Sequence, residues 1–134
     1  MAVTYEVEVT SFGPGGGNRE LKTDAISEVA GCIDTVSPGG AVVFVAALTP
    51  GADHGNFYLF RNEHGRAHIM VHEHREHFAR DPDSKAAGGV TAFRAENGEV
   101  FLVSTARTTS WERGKAALLH WLPAQARSPE LTWD

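Results

Sequence analysis

Ala41-Val42-Val43-Phe44-Val45-Ala46-Ala47-Leu48 is apolar at every one of its positions and rich in valine. Branched side chains fit a pleated strand, and an unbroken apolar run fits a strand covered on both faces. Such a strand lies inside a sheet. Ser37-Pro38-Gly39-Gly40 precedes it and a loop from Thr49 to Gly55 follows, so its partners must come from the segments on either side.

Upstream, Val3, Tyr5, Val7 and Val9 alternate with Thr4, Glu6, Glu8 and Thr10, the period-two pattern of a strand with one dry and one wet face. The glycines of Ser11–Asn18 end it in a loop that lacks both the Lys-Ser/Thr of a phosphate loop and the spacing of a dinucleotide fingerprint. From Thr23 or Asp24, either a good cap, Ile26, Val29, Ala30 and Ile33 recur at helical spacing over about three turns, with Glu28 and Asp34 facing away. Downstream, Phe57–Phe60 and Ala67–His72 read as a hairpin. A polar stretch from Arg75 to Gly89 leads to a second one, Val90–Arg94 with Val100–Thr105, across the strong turn signal Asn97-Gly98.

Thr109-Ser110-Trp111-Glu112 has the form of a capping box, opening a helix whose apolar face takes Trp111, Leu118, Leu119 and Leu122 with the Lys115 stem. Gly114 weakens that helix and Pro123 ends it. Ser128–Trp133 closes the chain as a short edge strand, with Trp133 over the core. The expected fold is α+β, one domain over residues 1–134, with a mostly antiparallel sheet of about six to seven strands and two helices packed on it.

The 134 residues are 42% hydrophobic, enough for one core. No apolar run approaches the roughly 20 residues that span a bilayer, and the start lacks the features of a signal peptide, so the expected location is the cytoplasm, with no membrane partner. Cys32 is the single cysteine and has no internal partner for a disulfide. The net charge is −5, and its distribution is uneven. Residues 1–60 hold two basic side chains, Arg19 and Lys22, against seven acidic ones, whereas residues 61–134 hold ten of each. A surplus of this sign repels nucleic acid and attracts a basic protein surface. Glu6, Glu8, Glu20, Asp24, Glu28 and Asp34 are the candidate partner-binding residues.

No complete catalytic motif is present, and no cofactor is implied. His68, His72, His74 and His77 are the most conspicuous cluster, and strand periodicity places His68, His72 and His74 on one side, where imidazoles can bind a divalent ion. The alternative function is therefore a small metal-dependent enzyme or sensor. Against it, Glu76 stands where a zincin has its second histidine. The deaminase pattern also needs a downstream pair of cysteines, and the chain has only Cys32, upstream. The leading reading is binding without a metal site.

The last third carries a likeness. Phe101-Leu102-Val103, then Ser110-Trp111-Glu112, a helix with Ala116, Ala117, Leu118, Trp121 and Leu122, then Pro129, Leu131 and Trp133 resembles the ending of the first-numbered family of bacterial polymorphic-toxin immunity proteins. The likeness is tightest over about residues 100–134 and architectural before that. It implies a small cytoplasmic α+β protein, encoded beside a toxin that is often a nucleic-acid deaminase or nuclease, which it binds and neutralises by occlusion. The implied partner is a cognate toxin with a basic surface, and an exposed strand edge leaves a homodimer open. The family has a glycine before the proline that follows its last helix, where this chain has Ala124-Gln125-Ala126-Arg127.

Overall fold

A computed structural model describes residues 2–82 and 88–134. In chain order the elements are β1 (Thr4–Ser11), β2 (Gly17–Thr23), α1 (Ile26–Ile33), β3 (Ala41–Thr49), β4 (Ala52–Arg61), β5 (Arg66–His72), β6 (Glu76–Arg80), β7 (Val90–Arg94) and β8 (Val100–Ser104), followed by a 3-10 turn (Thr105–Arg107), β9 (Thr109–Ser110), α2 (Trp111–Trp121) and β10 (Thr132–Trp133). The main sheet has eight strands in the order β10-β6-β5-β4-β3-β1-β2, with β9 on β5, and β7 and β8 form a separate ribbon. Every pairing is antiparallel, so the chain is α+β with a mostly antiparallel sheet and two helices.

The alternation read from β1 sets the two faces. Tyr5, Val7 and Val9 are buried with Val43, Val45, Ala47, Phe57, Leu59, Ile69 and Val71 against Val29, Cys32 and Ile33 of α1 and Trp111, Ala117, Leu118 and Trp121 of α2. Both helices therefore cover the same face, here called inner. The Tyr5 hydroxyl donates to the Leu122 carbonyl at 2.5 Å, fastening β1 to the end of α2. The outer face carries a smaller core of Val42, Phe60 and Phe93, joined by Phe12, Tyr58, Phe101 and Val103, where the β7–β8 ribbon lies across the sheet. β3 is an interior strand with apolar cover on both sides, as its composition requires.

Several elements depart from expectation. β2 falls partly inside the stretch expected to be loop, and α1 is two turns rather than three. Thr23 accepts from the Ala25 amide before that helix begins and does not cap it. β4 starts at Ala52, straight after a turn at Pro50–Gly51 with Gly51 at φ +77°, so most of the loop expected over Thr49–Gly55 is strand. β6 lies inside the stretch expected to be polar connection, of which residues 83–87 fall outside the described residues. The cap of α2 is Ser110, whose side chain accepts from the Arg113 amide at 3.2 Å, while Thr109 is paired in β9 with a buried hydroxyl.

The buried stripe of α2 is also rotated from the expected one. Leu119 is 39% exposed, and Gly114 is buried at the contact with the sheet. A Cβ at Gly114 would stand 2.9 Å from both the Ala67 Cβ and the Leu59 Cδ1. The residue that weakens the isolated helix is the one that lets it approach the sheet. After the helix, Gln125 adopts φ 54°, the left-handed conformation that glycine takes most easily, and its side chain donates to the Leu122 carbonyl at 2.7 Å.

Candidate interaction face on the outer sheet

Strand register arranges the outward side chains in rows. Glu20 faces Glu8 across β2 and β1, Glu8 faces Phe44 on β3, Phe44 faces Tyr58 on β4, Tyr58 faces Met70 on β5, and Met70 faces Phe78 on β6. One row thus runs from two carboxylates through two rings and a thioether to a third ring. Glu6, Glu8 and Glu20 are exposed, and Phe44, Tyr58, Met70 and Phe78 are half-buried. The centroids of Phe44 and Tyr58 are 4.8 Å apart, and Tyr58 stacks on Phe60 at 6.0 Å. Burial raises the pKa of the Tyr58 hydroxyl, and the charges of Glu96 in the ribbon turn and of Glu8 raise it further. A shallow groove of about 320 Å³ runs along Glu6, Glu8, Glu20 and Lys22. Lys22 stands 4.0 Å from Glu6, with both side chains at least half exposed, so this pair contributes little energy.

The six candidate acids divide between two regions. Glu6, Glu8 and Glu20 share the outer sheet face, whereas Asp24, Glu28 and Asp34 are exposed around α1 on the inner side, where Asp34 lies 3.9 Å from Lys115 of α2. The three aromatic neighbours Phe44, Tyr58 and Phe78 were not singled out in the sequence. The register that joins them to Glu8 depends on long-range pairing, and their spacing along the chain carries no sign of it.

The histidines separate. His68 and His72 do project from the outer face of β5, yet four residues of strand place them about 13 Å apart, far beyond the reach of one ion. His74 is exposed in the turn after β5. His77 faces inward on β6, opposite Val71, with Nδ1 3.2 Å from the Asp134 carbonyl and 3.0 Å from an Arg127 nitrogen. Among the described residues no three His, Cys, Asp or Glu side chains come together to hold a metal. His72 and His74 do share an open groove with Asp53, His54 and Glu73, next to a bulge where β4 has one residue more than β3.

His68 has a different environment. It is 4% exposed and surrounded by rings, at 5.7 Å from Phe60, 5.7 Å from Phe78, 5.8 Å from Phe93 and 6.3 Å from Phe101, with Nδ1 3.0 Å from the Arg107 carbonyl. Burial lowers its pKa. The hydrogen bond to Arg107 opposes that shift, and the Arg107 charge adds to it. Cys32 is 1% exposed in the main core, the setting of an inert thiol.

The ribbon has an exposed apolar outer surface. Asn62 donates to the Ala92 carbonyl at 3.3 Å, while its own carbonyl oxygen accepts from the His64 and Arg66 amides, so one buried side chain links the β4–β5 turn to β7. Val90, Val100 and Leu102 point away from the sheet at 63%, 56% and 62% exposure. No helix is long and apolar enough to cross a membrane, among the described residues. No protein-family model matches the chain, and no curated protein matches it.

Proposed function

We propose that this protein is a non-enzymatic immunity protein, which acts in the cytoplasm and neutralises a cognate toxin by stoichiometric occlusion. The observation that carries the reading is the placement of Glu6, Glu8 and Glu20 together on an uncovered sheet face, beside the half-buried rings of Phe44 and Tyr58. A toxin that acts on nucleic acid presents a basic cleft to phosphate. A face of carboxylates and rings suits that cleft twice over, since the charges steer association and form charge-assisted hydrogen bonds while the rings supply rigid contact area. The likeness of residues 100–134 to the ending of an immunity family supports the same reading.

Co-expression with the product of the neighbouring reading frame tests it. The expected result is a complex of fixed one-to-one stoichiometry, rescue of growth, and loss of the partner's activity on nucleic acid in proportion to the protein added. Turnover of the partner by substoichiometric amounts of this protein, or failure to associate with it, would contradict the proposal.

A further inference from the structure

We infer that Phe44 and Tyr58, with Glu8 at their side, form a seat for an arginine side chain of the protein partner. The inference rests on the binding reading above and adds the chemistry that the partner must present. Phe44 and Tyr58 are cross-strand neighbours with their ring centroids 4.8 Å apart, both half-buried on the outer face. Glu8 is the cross-strand neighbour of Phe44 on the other side and is exposed. Glu96 reaches the same neighbourhood from the ribbon turn, close enough for its charge to act on the Tyr58 hydroxyl. A floor of rings beside carboxylates is what a guanidinium needs, because it stacks flat on a ring while donating hydrogen bonds in its own plane.

The protein already contains one such arrangement. At the far end of the same row the Arg107 guanidinium lies over Phe78, 4.8 Å from the ring centroid, and its Nε donates to the Asp134 carboxylate at 3.0 Å. At the Phe44 end a ring and a carboxylate stand side by side in the same way. Among the described residues the guanidinium groups that lie over rings are Arg107, on Phe78, and Arg61, on Trp111. Of the two basic residues of β2, Lys22 is directed to Glu6, and Arg19, opposite the inward-facing Val9, donates to the Thr35 hydroxyl on the helix side. Asp34, on the helix side, already has Lys115 near it, so charge complementarity favours the outer face as the place where an incoming cation docks.

The blocked tripeptide acetyl-Gly-Arg-Gly-amide, titrated into the full chain and followed by aromatic and amide NMR shifts, tests the seat directly. Saturable shifts are expected at the Phe44 and Tyr58 rings and at Glu8, with roughly threefold or weaker binding of the lysine counterpart and none of the neutral citrulline counterpart. Glu8→Gln, at an exposed position that leaves the fold intact, should weaken the arginine peptide roughly threefold or more, and Phe44→Leu, which keeps the apolar volume, should do the same. Shifts that map to Glu28 and Asp34, equal binding of citrulline, or a Glu8→Gln variant that binds as wild type would overturn the inference. No toxin is present in this titration, so its failure leaves the immunity reading standing, and that reading falls only by its own co-expression test.

Discussion

His68 carries a proton balance that the fold resists. Above pH about 6.5, the ordinary value of an imidazole, folded and unfolded chains both hold it neutral and the residue does not distinguish them. Below that pH the unfolded chain takes up a proton that the buried ring refuses, so stability falls as pH drops toward the lowered folded value. The slope contributed by this one residue is at most about 1.4 kcal/mol per pH unit. His68→Phe, which keeps a flat ring among Phe60, Phe78, Phe93 and Phe101, should lose about 1 kcal/mol at neutral pH with the hydrogen bond to the Arg107 carbonyl. Urea unfolding of both proteins at pH values of about 7.5 and 5.5 checks this, and the variant should show the smaller acid loss. Equal acid losses would remove His68 as the cause. Tyr5→Phe, which deletes the bond to Leu122, should cost about 1 kcal/mol at any pH in that range. The common face of His68 and His72 was readable from the alternation of β5, but the inward turn of His77 was not. The register of β6, in which His72 pairs with Glu76, decides it, and nothing in Glu76-His77-Phe78-Ala79-Arg80 advertises a strand.

Among the elements, α2 makes the sharpest stability prediction. Gly114→Ala gains about 1 kcal/mol of helix propensity, but its methyl group must displace the Ala67 Cβ and Leu59 Cδ1, each 2.9 Å away. The Ala67 Cβ is fixed to a paired strand, so the contact should prevail and the variant should unfold at a lower temperature, by a net cost of about 1 to 2 kcal/mol. A rise in melting temperature would mean that the helix moves freely over the sheet. The sequence reading found β1, β3, the Phe57–Phe60 half of β4, β5, β7 and β8 through a strong local signal, either period-two alternation, an apolar run or an Asn-Gly turn, and it also placed the short edge strand β10 within Ser128–Trp133. Those it missed are edge or near-edge strands whose signal is weak for a physical reason. β2 pairs on one side only and exposes most of Gly17-Asn18-Arg19-Glu20-Leu21-Lys22, so burial places few demands on its composition. β6 buries an imidazole and a methyl group in place of large apolar side chains, and β9 has two residues. Charge on such edges also discourages pairing with other chains.

Across the whole molecule, the sheet separates two chemistries. Its inner face is closed by α1 and α2 over a dry core, and its outer face is half covered by the β7–β8 ribbon, with the rest left to carboxylates and rings. The acidic surplus of residues 1–60 was legible in the sequence, and so was the outward side of Glu6 and Glu8. The division of the six acids by the sheet was not legible, because β2 was missing from the reading, and β2 carries Glu20 to Glu8. The measurement that tests the account most directly compares two triple reversals for affinity toward the co-expressed toxin, at about 50 mM and about 300 mM salt. The sheet-face set Glu6→Lys, Glu8→Lys and Glu20→Lys should weaken binding roughly ten- to a hundredfold and flatten its salt dependence, while the helix-side set Asp24→Lys, Glu28→Lys and Asp34→Lys should change it by no more than about threefold. Equal losses from the two sets, or an undiminished salt dependence in the sheet-face variant, would contradict the account.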